Sequence, residues 1–161
     1  MNGIIAFVRD TRGAAAAEMA LMIPLLLVLM FGGFEAGHYF YNEHQVVKAV
    51  REGARYAGRL PFTTYDCYSG SIAMQTQIQE VTRTGQPSGG TARITGFTND
   101  DITVQLTCDA SFNGGLYNKL GTAPTVEIEA TVAYPSLLGE LGLFDDGLNV
   151  RAAAHAAVMG Q

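Results

Sequence analysis

From Met19 to Phe34 the chain runs sixteen residues without a charge, MALMIPLLLVLMFGGF. Glu18 and Glu35 bracket this run, and small or aromatic residues extend it back to Ala14 and on to Tyr41. A bilayer core about 30 Å thick needs about 20 apolar residues in helical form, and the extended stretch meets that length. Three readings compete for it: a transmembrane anchor, a cleaved secretory signal, or a buried core helix. A secretory apolar region usually has about 7–15 residues and precedes a small-x-small cleavage site. This run is longer, and Phe34-Glu35-Ala36 fits such a site poorly. A core helix in a small domain is rarely apolar on every face. The anchor reading leads.

The chain of 161 residues allows one ordinary domain beside such an anchor. Its apolar share of 48% argues against a disordered protein. A net charge of -5 lacks the basic balance of a nucleic-acid binder, so no nucleic-acid partner is expected.

Glu18 is the residue that the anchor reading must explain. A carboxylate near the centre of a membrane segment costs about 3 kcal/mol, so such a residue is a functional candidate by default; the plainer alternative is an interfacial side chain that snorkels into water. Arg9, Arg12 and Gly13 precede it, and Glu18 is the fifth residue after that glycine. A short basic leader, a glycine, a glutamate at this offset and a long apolar helix together resemble the class III signal of type IV pilin-like proteins. From Arg12 to Arg59 the string RGAAAAEMALMIPLLLVLMFGGFEAGHYFYNEHQVVKAVREGARYAGR most resembles the TadE-like family of the tight-adherence pilus machinery. Met19 departs from the aromatic or large apolar residue that commonly follows the glutamate in that family.

The resemblance implies a prepilin peptidase as a partner, cutting between Gly13 and Ala14. It also implies that Glu18 sets the register of assembly, its carboxylate meeting a free N-terminal amine. Opposite charges attract far more strongly in a poorly hydrated site than in water. Other pilin-like subunits, the pilus assembly machinery and a bacterial inner membrane are the further partners implied. Counting bases alone, Lys48, Arg51, Arg55 and Arg59 outweigh Arg9 and Arg12 and would hold the C-terminal part in the cytoplasm. Cys67 and Cys108 argue the other way, because a disulfide requires an oxidising compartment. The expected topology is therefore N-terminus cytoplasmic and C-terminal domain periplasmic or extracellular.

These features divide the chain into a leader at 1–13, a transmembrane helix at 14–41, an amphipathic extension at 42–60 and an extracytoplasmic α+β domain at 61–161. Val46, Val47, Val50, Ala54 and Ala57 form the apolar stripe of the extension, with Lys48 and Glu52 an i, i+4 pair on its polar side. Unbroken from Ala14 to Gly58, the helix would measure about 68 Å, more than twice a bilayer core. Pro24 should bend it or free a carbonyl. Gly32, Gly33 and Gly37 either let neighbouring helices approach or reflect ordinary membrane-helix composition.

In the domain, Ser71 is expected to cap a helix from Ile72 to about Arg83, with Met74, Ile78 and Val81 inward and Gly85 as its stop. Alternation predicts strands at Ile102–Cys108, Val126–Val132 and Val150–Val158, with Thr91–Phe97 pairing with the first of them through an Asn99-Asp100 turn. One-faced alternation implies an antiparallel sheet packed on helix, which is also the pilin-like arrangement.

Cys67 and Cys108 are either a loop thiol and a small core side chain, or a bond tying the loop after the helix to a strand. With the domain outside, the bond is expected, and closing such a loop would contribute roughly 4 kcal/mol. No catalytic motif is found. His38 and His44 fall on different helix faces, and His155 lies on the polar side of a strand. No cofactor and no metal are expected, the acidic pairs Asp100-Asp101 and Asp145-Asp146 reading first as turns and only second as calcium ligands. The stretch PSLLGELGLF, 135–144, either folds onto the core or offers a partner surface. The expected function is a non-enzymatic minor pilin or pseudopilin. The alternative is an unprocessed, single-pass envelope binding protein.

Overall fold

The computed structural model describes residues 12–112, 114–139, 142 and 147–160. It is an α+β protein that divides into two compact units, one ending at His38 and the other beginning at Tyr39. The first helix, α1, spans Arg12–Arg59 and contains Pro24 without being ended by it. Within the first unit every residue from 13 to 34 is exposed.

In the second unit α1 becomes one-sided. Val46, Ala49, Val50, Ala54 and Ala57 are buried, together with Gly53 and Gly58. Val47, expected on this stripe, is only partly buried. Steps of three and four from Val46 lead to Ala49, Val50 and Gly53, whereas Val47 sits a further 100° or so around the helix. At Gly53 a Cβ would stand 2.0 Å from Thr82 Oγ1 and 3.1 Å from Ile128 Cδ1, so the missing side chain sets how closely α1 meets its neighbours.

After Arg59 the chain turns through Phe62–Thr64 into a two-stranded hairpin, β1 (Tyr65–Asp66) with β2 (Ser71–Ile72). The Tyr65 hydroxyl donates to the Ala57 carbonyl and fastens the hairpin to α1. The Asp66 carboxylate accepts from the Tyr68 and Ser69 amides and the Ser69 hydroxyl, closing the turn. Ser71 is therefore a strand residue and not a helix cap. The second helix, α2, starts later than expected, at Gln75–Thr84, and Met74 is exposed while Ile78 and Val81 are buried. Gly85 stops it as predicted, at φ +84° with its N–H donating to the Val81 carbonyl.

Three strands form the main sheet in the order β3 (Ile102–Asp109), β4 (Ala123–Ala133), β5 (Asn149–Ala157), all antiparallel. Val104 pairs with Ile128, and Ile128 with Ala154. Ile102, Val104, Val126, Ile128, Ala130, Val132 and Val150 face the α1 stripe and form one core with it. The expected strand at Thr91–Phe97 is absent. Ile94 and Phe97 are buried, but Phe97 N–H donates back to the Ile94 carbonyl, and the Gln79 amide donates to Asn99 and Ile102 carbonyls at the free edge of β3. That carbonyl at the edge is satisfied by a side chain in place of a fourth strand.

Candidate processing and assembly site

The residues that the sequence singled out fall into two groups, one in each compact unit. Gly13, Ala14 and Glu18 belong to the first unit. All three lie in the opening turns of α1 and are exposed. Glu18 follows Ala14 by four residues, so it stands one turn along on the same helix face. Beyond it the apolar residues point outward all round: Leu21 is 79% exposed and Val28 69%. The segment has a mean hydropathy of 2.2 over its most apolar window, none of which is buried. It is long and apolar enough to cross a membrane. A Cβ at Gly32, Gly33 or Gly37 would meet nothing within 4 Å. Arg9 and the other residues before Arg12 lie outside the described residues.

The second group belongs to the second unit. Cys67 and Cys108 form the expected disulfide, with Cα atoms 5.8 Å apart across 41 positions of sequence. It ties the tip of the β1–β2 hairpin to the end of β3. Next to it the Asp109 carboxylate accepts from Ser111, which holds it below the ordinary aspartate range, and Ser69 does the same for Asp66.

Two polar clusters escaped the sequence reading. Glu52 pairs with Arg93, forty-one positions away, in place of Lys48. The Arg93 hydrogen bond, then its charge with those of Lys48 and Arg55, holds the Glu52 carboxyl below its usual range against partial burial. Glu80 accepts from Arg83 and from the Asn99 amide, and Asn99 contributes most to keeping that carboxyl low. Neither long-range pair has a local sequence signal. A third feature was legible as spacing: His44, Lys48, Arg51, Arg55 and Arg59 recur at intervals of three and four, and all are exposed on one face of α1.

Among the described residues no group of three or more His, Cys, Asp or Glu could hold a metal ion. Asp101 is occupied by the Thr98 amide and hydroxyl, in a capping box over the turn Asn99–Asp101. Asp145 and Asp146 lie outside the described residues. His155 stands 3.6 Å from Glu127 on the outer face of the sheet. Of the stretch 135–144, Leu137 is exposed and Gly139 N–H donates to the Ser136 hydroxyl; residues 140, 141, 143 and 144 lie outside the described ones.

An apolar helix long enough to cross a membrane, continued by an amphipathic half, with a small antiparallel sheet and a disulfide in the second unit, defines an α+β class of protein. Within that class, the family model described as TadE-like protein matches residues 13–55, so the resemblance read from the sequence holds over that segment. Searches of curated proteins and of solved structures found no match for this chain.

Proposed function

We propose that this chain is a pilin-like structural subunit, a minor pilin or pseudopilin, of a tight-adherence pilus. A prepilin peptidase cuts it between Gly13 and Ala14, and residues 14–41 hold it in a bacterial inner membrane with the disulfide-bonded domain outside. The observation that carries this reading is where the family match starts: at Gly13, the residue before the proposed cut. The exposed apolar helix and the disulfide support it further. The protein works by association and has no chemistry of its own. Its partners are the peptidase, other pilin-like subunits and the assembly machinery.

Cleavage would create an amine at Ala14, and Glu18 is the charge that answers such an amine. Each alone is costly among lipid chains, whereas a pair in low dielectric fixes one register of helix against helix. N-terminal analysis of protein taken from cells with an active prepilin peptidase should read from Ala14. An intact Met1 start would leave the unprocessed anchor. Glu18→Gln should reach the membrane at normal abundance but co-purify poorly with pilus components, while Glu35→Gln co-purifies normally. Equal co-purification of wild type and Glu18→Gln would reduce Glu18 to an interfacial residue.

A further inference from the structure

The two outer faces of the domain carry charges of opposite sign. Around α1, at about 100° per residue, Lys48, Arg51, Arg55 and Arg59 centre on the side opposite the buried stripe. That stripe packs on the inner face of the sheet. The outer face of the sheet presents Asp109, Glu127 and Glu129 among Thr103, Thr107 and Ala153. Basic and acidic rows thus lie on opposite sides of a helix-on-sheet layer, where one chain cannot bring them together. Residues 42–59 hold four bases against two acids, and residues 60–161 four bases against ten acids. Among the described residues none of the four helix bases forms an ion pair within 4.0 Å. On the acidic side two groups compete: Arg151, which donates to Thr131, and His155 beside Glu127.

The spacings of the two rows are close at one step and looser at the other. Asp109 is level with Ala123, four residues before Glu127, and Glu127 is two before Glu129. At about 3.4 Å per residue the carboxylates are spaced about 14 and 7 Å along the strands. Lys48, Arg55 and Arg59 are spaced about 10 and 6 Å along the helix, at about 1.5 Å per residue. The looser fit falls at the lysine, whose flexible four-carbon stem has the reach to close it.

We propose that the Lys48–Arg59 face of α1 docks on the Asp109–Glu127–Glu129 face of a second copy of this chain. The two surfaces differ, so the contact is head-to-tail and repeats from copy to copy without closing on itself as a two-fold dimer would. It involves only the outer domain and does not depend on cleavage after Gly13, so failure of either proposal leaves the other standing.

The test uses the full-length chain in phosphatidylcholine vesicles, with isotope-labelled and unlabelled copies mixed. A carbodiimide joins touching amines and carboxylates, and mass spectrometry reads the Lys48–Asp109 link between copies. Arg55→Glu with Arg59→Glu should lower its yield by about tenfold through like-charge contact, as should Glu127→Arg with Glu129→Arg. Combining all four substitutions should restore it, because each row then again meets its opposite. A combined variant as poor as the pairs would overturn the proposal, and so would pairs that match wild type. Suppression of the wild-type link by phosphatidylglycerol vesicles to the level of the pairs would overturn it too, assigning the basic face to anionic lipid.

Discussion

Residues 19–34 and 46–59 are two stretches of one helix with opposite fates. In the first, Leu21, Leu25 and Leu29 are 79%, 61% and 64% exposed; in the second, Val46, Ala49, Val50 and Ala57 are wholly buried. The difference is angular. Apolar residues all round a helix give it no preferred side within its own chain, so their cover has to come from lipid or from other helices. Apolar residues confined to steps of three and four give a side, and the chain supplies a sheet to meet it. Identical backbone conformation therefore serves two solvents.

The largest expected effect falls on the unit to which the second stretch belongs. Replacing both Cys67 and Cys108 by serine frees a loop spanning 41 positions and should cost the second unit about 4 kcal/mol in the chain-entropy treatment. Thermal unfolding of the domain would show it, and membrane retention through residues 14–41 should not change. An equal loss on both counts would mean that the two regions are not separable. Next, Ile128→Ala opens a cavity where a fully buried side chain meets α1, at a cost of about 3 kcal/mol. The matched change Leu26→Ala, at an exposed position, should leave the melting of the domain where it was.

The smallest effect concerns Glu52. Its carboxyl is held low in the folded domain, so its contribution to stability is complete above the unfolded glutamate value, about 4.5, and is lost as the pH falls through the folded value. Both partners keep some contact with water, which limits the contribution to a fraction of a kcal/mol. Melting followed from neutral to acidic pH should show a slightly shallower acid loss for Glu52→Gln than for wild type. An unchanged acid slope would remove the Glu52–Arg93 pair from the account of why this half of the helix holds.

What could be read in the sequence was whatever repeats at short range. The alternation of Ile102, Val104 and Leu106 with threonines and glutamine specifies β3, and Val126 to Val132 does the same for β4. The alanines of β5 favour helix by intrinsic propensity, yet pairing with β4 along the whole of Asn149–Ala157 decides the matter. Ser71 misled because its helix-capping chemistry is equally at home in a turn, and Asp66 with Gly70, at φ +70°, had already marked that turn. Thr91–Phe97 misled because burying Ile94 and Phe97 does not require a ladder, and the Gln79 amide that occupies the edge comes from another element. Glu52–Arg93 joins residues far apart in sequence, and charge pattern along one helix points to Lys48 instead. For the site, Gly13, Ala14 and Glu18 rest on a motif, and Cys67 with Cys108 on being the only two cysteines.

The bond from Tyr65 to the Ala57 carbonyl gives the molecule its own optical gauge. The chain has seven tyrosines and no tryptophan, so phenol groups dominate its near-ultraviolet absorption. Burial pushes the Tyr65 phenol up to about 12, so in the folded domain it stays un-ionised at the pH, about 10, where an ordinary phenol titrates. In an alkaline absorbance titration the Tyr65 phenol should lag, and its lag should disappear when the hairpin parts from the helix. The end of α1 can thus be watched coming loose without attaching a label.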